Sequence, residues 1–317
     1  MTLPAHKPLL LLEYSSGLND NKSSRSVATI TLNDPDRRNA LGDEMFTALE
    51  NALKDIQKNC AANPFFKETN SAVVGEKITN QFTPSHKVFD DSTTRVVVLC
   101  ANGPSFCAGF DLRSVANDAD GAQPVLTGYL QRLHQCVEII SQLSAITIAS
   151  VSGAALAGGC ALVSSCDFVV ATPDAKFGYP THAIGLSPSI SAPTLSSRMG
   201  LGAARELLLG GQFINGTRAF ELGFASHVAD ASSVNTNITG RLDSFTHQKS
   251  LAQETSKLIN TLLAKGQHAL LTTKCWLQNL DPISHQTNRT SALSASSSGV
   301  GGPESVDRVA AVWKQRS

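Results

Sequence analysis

Two short stretches carry the residues on which chemistry could be built, "SFCAGFDL" at 105–112 and "AALAGGC" at 154–160. Each follows a run that reads as a buried strand, "TRVVVLC" before the first and "ITIASVSG" before the second. Gly103, Ala108, Gly109, Ala157, Gly158 and Gly159 are small enough for backbone to come close to a ligand. Strand ends of this kind are where open α/β sheets gather their ligands. The second stretch runs straight into a helical pattern, and a helix amino terminus offers unpaired N–H groups and a positive dipole end. Two amides aimed at one oxygen form an oxyanion hole, in which losing one donor costs about 3–4 kcal/mol of transition-state stabilisation. Close packing of strand on helix explains either turn alone; the two together, each opening a βα unit, favour the oxyanion reading. Cys107 and Cys160 lie beside these turns, but a thiol nucleophile needs a nearby base or a depressed pKa. Small packed cysteines are the simpler reading.

The elements that must hold these turns are readable from periodicity. "KPLLLLEY" and "SVATITLN" (26–33) make two arms of a β-hairpin, and "DPDRRNALGDE" breaks the pattern before a helix over 43–58. Strands are expected at 95–101, 146–151 and 168–171, with helical patterns at 125–143 and 158–164 between them. Alternation of this sort implies parallel βαβ packing. Residues 60–94 shift to Asn, Ser, Thr, Lys and Pro and read as a surface insertion. Beyond Gly223 the pattern is helical, at 248–265, 267–279 and 303–316, with "SALSASSSGVGG" read as a loop before the last helix.

Composition bounds the partners. At 317 residues and 42% apolar, the chain can build one large core. Twenty-six basic residues balance 26 acidic ones, so no overall field draws nucleic acid or an anionic membrane. No run approaches the ~20 apolar residues of a membrane span. Seven cysteines without paired CxxC spacing fit a reduced intracellular compartment, and make the sequons at Asn21, Asn215, Asn237 and Asn288 chance matches. The cytoplasm is favoured; no presequence or SKL-type ending marks a mitochondrial or peroxisomal address.

The set "ITLNDPDRRNAL", "SFCAGFDL", "SVSGAALAGGCALVSSCDFVVATPDAKFGYP", "IGLSPS" and "ARELLLGGQFINGTRAFELGFASHV" resembles the enoyl-CoA hydratase/isomerase, or crotonase, superfamily. The resemblance implies an α/β crotonase-like ββα spiral core over 8–220 and a helical region over 221–317 that closes on CoA and packs homotrimers or dimers of trimers. It implies an acyl-CoA thioester as partner, with coenzyme A brought by the substrate and no further cofactor or metal. It assigns the oxyanion amides to Ala108 and Gly158, and places Phe106, Gly109, Asp111, Ala161 and Thr181 around the substrate. Arg37, Arg38, Ala40 and Lys314 are its CoA-side positions, and residues 109–130 its acyl-pocket loop.

The family's carboxylates are missing. The positions that carry the hydratase acids hold Ala161 and Thr181, and the isomerase position holds Ser189. General acid–base catalysis contributes about 10²- to 10⁴-fold, so simple hydration is doubtful. Readings that remain are decarboxylation of a malonyl-type thioester, where the oxyanion hole suffices and His182, Ser189 or Tyr179 supplies polarity; hydratase or isomerase chemistry with an acid displaced to Asp111; and a non-catalytic acyl-CoA-binding homologue. Asp111 and Asp167 are otherwise structural.

Overall fold

The computed structural model describes residues 7–15, 26–60, 93–113, 122–229, 244–280 and 286–298, with the single positions 300, 308 and 311. The two alternating runs near the start form β1 (Leu10–Ser15) and β2 (Val27–Leu32), antiparallel with Leu10 opposite Leu32. Acids in its first turn open α1 (Asp43–Asn59), which buries Phe46, Leu49, Leu53 and Ile56 at helical spacing.

From there the chain repeats one unit three times. In β3 (Val96–Ala101), β4 (Ser105–Cys107) and α2 (Ala122–Gln142), then β5 (Ile146–Val151), β6 (Ala154–Leu156) and α3 (Gly158–Ser164), then β7 (Phe168–Ala171), β8 (Lys176–Gly178) and α4 (Ala192–Gly210), each turn is strand, strand, helix. The first strand of every turn joins one sheet and the second joins another. With β9 (Ile214–Asn215) and β10 (His227–Val228), which flank α5 (Gly216–Glu221), the sheets run β1-β2-β3-β5-β7-β10 and β4-β6-β8-β9. Pairing is parallel except β1 with β2 and β8 with β9. This is the expected ββα spiral.

The large sheet is covered on both faces, which is why its strands read as continuous apolar runs. Val96, Val98, Ile146 and Ile148 pack with Leu251, Leu262 and Leu263 of α6 (Ser244–Leu263). The alternate residues Val97, Leu99, Ala149 and Val151 face the main core under α1, α2 and α3, the period of two that a pleated strand imposes.

A polar clamp ties α7 (Gln267–Leu280) to the strand ends. Lys274 Nζ donates to Ala145 O at 2.8 Å and to Asp167 Oδ2 at 2.7 Å, and that oxygen also accepts from Thr147 N and Oγ1. Asp167 is thus structural. Arg95 closes the α6 carboxyl end, its Nη2 donating to Leu263 O at 2.9 Å and Lys265 O at 3.2 Å.

One expectation changes. "SALSASSS" is not a loop but most of α8 (Gln286–Ser298). Ser296 is wholly buried and accepts a hydrogen bond from Ile190 N at 3.1 Å, so packing on the segment before α4 overrides weak helix propensity. The helix expected at 303–316 lies outside the described residues, apart from helical positions 308 and 311. So does most of the expected insertion, but its ends meet: Cys60 bridges Thr94, and Thr94 N donates to Asn59 O at 2.9 Å.

Removing the amine in Lys274→Ala leaves the Asp167 carboxylate without its cation, and urea denaturation should show a loss of about 3–5 kcal/mol; a change within error would mean that the clamp contributes nothing. Burial pushes the Cys60, Cys107, Cys136, Cys160 and Cys166 thiols up to about 12 from an ordinary value near 9. The unfolded chain therefore releases these protons first, and stability present below pH 9 should fall between pH 9 and about 12. Denaturation midpoints measured from pH 7 to 11 check this; a flat profile above pH 9 contradicts it.

Candidate active site

The first turn leaves β4 at Cys107. Gly109 takes φ 89, and a Cβ there would sit 3.1 Å from Ala157 Cβ and 3.2 Å from Leu156 O, so a side chain has neither the conformation nor the room. On one side the turn is zipped to the 34–41 loop: Leu41 N donates to Gly109 O at 2.8 Å and Asp111 N to Leu41 O at 3.0 Å. That parallel bridge pairs Leu41 with Phe110, and the central residue of such a bridge points its own N–H away from the partner strand. No described residue accepts from Phe110 N.

The 34–41 loop is itself stapled by Asn39. This side chain is fully buried, its Oδ1 accepting from Asp34 N at 2.7 Å and its Nδ2 donating to Asn102 O and Ser105 O at 3.0 and 2.8 Å. Arg38 and Asn39 both adopt left-handed backbone, φ 55 and 54, which turns the Arg38 carbonyl onto the Ala108 amide at 3.0 Å. The Ala108 N–H is therefore committed to backbone, contrary to the expectation that it faces a ligand. The Gly109 N–H faces the Cys107 thiol. The free amide of this turn is the one at Phe110.

The second turn leaves β6 through Ala157, a residue with a side chain held at φ 50, ψ −112. Such a conformation costs on the order of 1–3 kcal/mol and persists only where neighbours over-determine it. Here Ala157 N donates to Gly178 O at 2.9 Å and Ala157 O accepts from Ala161 N at 3.0 Å. Gly158 then opens α3, and no described residue takes its amide. A Cβ on Gly158 would lie 3.0 Å from Leu41 Cδ1 and 3.6 Å from Phe110 Cε1, and one on Gly109 would lie 3.6 Å from Gly158 N. The two turns abut, each presenting one unpaired N–H.

Both turns open on a cavity of about 860 Å³. Among the described residues, its charged wall groups come from two segments, Asp36, Arg37 and Arg38 from one, Asp111 and Arg113 from the other. The rest is apolar or hydroxyl-bearing, with Leu130, Leu133, Leu156 and Ile184 among the former and Thr181, Ser187, Ser191 and Ser296 among the latter. Arg113 Nε donates to Asp111 Oδ1 at 2.8 Å, and this hydrogen bond holds the Asp111 carboxyl below its ordinary range. Asp111 is thus an anion at neutral pH, with no proton to give. Tyr179 is buried in the wall, its hydroxyl near Ser191, Ser164 and Cys160 without a well-formed hydrogen bond, and burial drives its ionisation well above the ordinary value.

Of the residues expected from sequence, Arg37, Arg38, Ala40, Ala108, Asp111, Gly158 and Thr181 line this cavity. Phe106 and Ala161 are not on its wall; both are buried in the core, 1% exposed, because β4 and α3 turn them inward. Gly109 acts through the turn and not as wall. His182 is exposed outside the wall, since the 3-10 turn Pro180–Ile184 projects it outward. Ser189 reaches the wall only through its 2.5 Å contact with Ser187 Oγ. Lys314 lies outside the described residues, as does 114–121 of the expected acyl loop. The thiol reading fails, because burial holds Cys107 and Cys160 protonated with pKa values of about 12. Phe110, Arg113, Asn39 and the strain at Ala157 went unread; "RRNAL" signalled the loop, not the staple inside it.

No helix among the described residues is long and apolar enough to cross a membrane, and no group of three metal-ligating side chains occurs among them. The protein-family model described as Enoyl-CoA hydratase/isomerase matches residues 68–279, a span that begins inside the expected insertion. The chain is 35% identical over 146 residues to an enoyl-CoA isomerase/hydratase, fer4, of Mycosarcoma maydis, covering 45% of this chain and 52% of that one. It is 30% identical over 221 residues to a probable enoyl-CoA hydratase, echA6, of Mycobacterium leprae, covering 68% and 74%. Among solved structures, an enoyl-CoA hydratase of Mycobacterium smegmatis superposes with TM-score 0.64 at 26% identity over 98% of this chain and 97% of that one. One from Mycobacterium avium does so with TM-score 0.70 at 22% identity over 98% of each, a likeness of fold. From this match and these turns, the chain belongs to the enoyl-CoA hydratase/isomerase family.

Proposed function

We propose that the cavity binds an acyl-CoA thioester with its carbonyl oxygen between the amides of Phe110 and Gly158, which stabilise the enolate formed from it. The observation that carries this reading is the pair of unpaired N–H groups on abutting turns, one of them kept in place by strained backbone at Ala157. A thioester oxygen gains charge as the enolate forms, and two preorganised donors in a largely apolar cavity favour that charge far more than water does. Arg37, Arg38 and Arg113 stand where the charged part of the wall is concentrated and supply donors for the CoA phosphates.

Among the described residues, the wall away from the arginines is neutral. Asp36 and Asp111 are the carboxylates on the described wall, and Asp111 is occupied by Arg113. Chemistry that needs no protein carboxylate fits best: loss of CO₂ from a malonyl-type thioester, in which the C–C bonding pair passes directly into the thioester as the enolate. The same lack of acids supports a second reading, a non-catalytic acyl-CoA-binding homologue. Turnover separates the two.

Malonyl-CoA and methylmalonyl-CoA incubated in D₂O should lose CO₂ and take deuterium at the α-carbon, while hydration of crotonyl-CoA should be slow or absent. Gly158→Pro removes one donor at a position where a helix tolerates proline, and should lower kcat by about 10²- to 10³-fold. Because the variant can fail to fold, the wild-type protein supplies a second measurement. An alkyl-CoA thioether, which lacks the carbonyl, should bind at least about tenfold more weakly than the matching thioester, since the two amides then stay unsatisfied. Equal binding of thioether and thioester contradicts the oxyanion hole. Binding without turnover of any thioester selects the non-catalytic reading.

A further inference from the structure

The two donor N–H groups belong to the peptide links Gly109–Phe110 and Ala157–Gly158, so the first residues of both links, Gly109 and Ala157, aim them. These two residues face each other. A Cβ on Gly109 would lie 3.1 Å from Ala157 Cβ and 3.6 Å from Gly158 N, so the Ala157 methyl occupies the room that a side chain at 109 would need. Behind them the turns are anchored to different segments: Leu41 bonds the first, whereas Gly178 O and Ala161 N hold the second. Beyond the Cys107–Ala155 pair of β4 and β6, no backbone hydrogen bond among the described residues joins 108–110 to 157–159. Their spacing is therefore set by contact, at the base by Gly159 against Cys107 and beside the donors by the Ala157 methyl.

A methyl at this place runs against the backbone. At φ 50 and ψ −112 glycine is unstrained, and alanine at a positive φ makes a fold less stable than glycine does. Arg38, at φ 55 and ψ 34, sits in the ordinary left-handed region, whereas its ψ takes Ala157 outside that region. Burial does not account for the methyl either, because Ala157 is only half-buried and lines the cavity. A backbone outlier that persists beside a ligand cavity implies a use for the group that causes it. Contact with Gly109 is what this methyl supplies and glycine would not.

We propose that Ala157 is a positioning residue: its methyl, set against Gly109, keeps the two donor peptides at the separation and tilt at which both N–H groups reach one thioester oxygen. This deepens the acyl-CoA reading given above and rests on it. With glycine at 157 the backbone gains freedom in ψ, the angle that directs the Gly158 N–H. The gap left by the methyl also lets the Gly109–Phe110 link shift toward it. Both donors remain in such a variant, but neither is held in alignment, and misplacing a positioned group by about 1 Å can cost about 10²-fold in rate.

The test is Ala157→Gly in the full chain, with calorimetry on hexanoyl-CoA and on the hexyl-CoA thioether, which keeps the CoA and alkyl parts but lacks the carbonyl oxygen. Wild type should prefer the thioester by at least about tenfold, and the variant should bring that ratio to within about threefold of one. The change should come from the thioester alone, with thioether affinity staying within about twofold of wild type. The ligand-free variant should melt no lower than wild type, because glycine relieves the strained angle. A lowered melting temperature, or equal weakening of thioester and thioether, assigns the methyl to packing and overturns the inference. A ratio that stays near tenfold in the variant overturns it as well and leaves the acyl-CoA reading standing. Equal binding of thioester and thioether by the wild type, or no binding of either, removes the reading beneath it.

Discussion

Among the described residues, the Phe110 and Gly158 amides have no partner because the peptides on either side of them are bonded elsewhere. Around Phe110 the constraint is the bridge to Leu41, which takes Gly109 O and Asp111 N and leaves the Phe110 N–H pointing the other way. Around Gly158 it is Ala157, locked between Gly178 O and Ala161 N in a conformation that a side chain rarely adopts. The packing around both turns prevents relaxation: a Cβ on Gly159 would lie 2.6 Å from Cys107 O, which shows how tightly α3 is pressed onto the end of β4.

The same crowding separates two kinds of chemistry in one cavity. The 34–41 loop and the turn after β4 bring arginines and their acid partners to one part of the wall, while the spiral's third turn brings hydroxyls and aliphatic groups to another. Among the described residues of the wall, the neutral groups have no carboxylate beside them. Asp111, the carboxylate nearest the first turn in sequence, is engaged by Arg113, and a carboxylate with a depressed pKa is a weak base and no acid at neutral pH. Ala161 is buried in the core and Thr181 brings a hydroxyl, so neither position supplies a carboxylate to the wall.

Stability and site geometry are linked through the large sheet. Its two faces are sealed by the main core and by α6, and Lys274 and Arg95 fix the C-terminal helices to the strand ends by hydrogen bonds to backbone carbonyls. The small sheet, whose strands are only two or three residues long, carries the site. Strands this short are ordered by the large sheet and the helices around them and not by their own ladder. A rigid large sheet therefore holds a short one whose ends can be strained.

Much of this was legible in the sequence. β-branched runs placed β3, β5 and β7 within a residue of their observed limits, because a strand buried on both faces needs an unbroken apolar run; glycine-rich turns marked two segments that open on the cavity; and the absence of acids at 161, 181 and 189 could be read directly. In "CAGFD" the sequence reading took the Ala108 amide as the donor, whereas that N–H is bonded to Arg38 O. Which N–H is free depends on where the Arg38 carbonyl and the Leu41 strand lie, and both are distant along the chain. For the same reason His182 looked available and faces outward, the serine-rich stretch looked like loop and packs as a helix, and Asn39 looked like part of a turn and proved its staple. Local propensity is written residue by residue, whereas the hydrogen-bond partner of an amide, hydroxyl or carboxylate is settled only when remote segments meet. The tertiary structure therefore decided which polar groups were left over for a ligand.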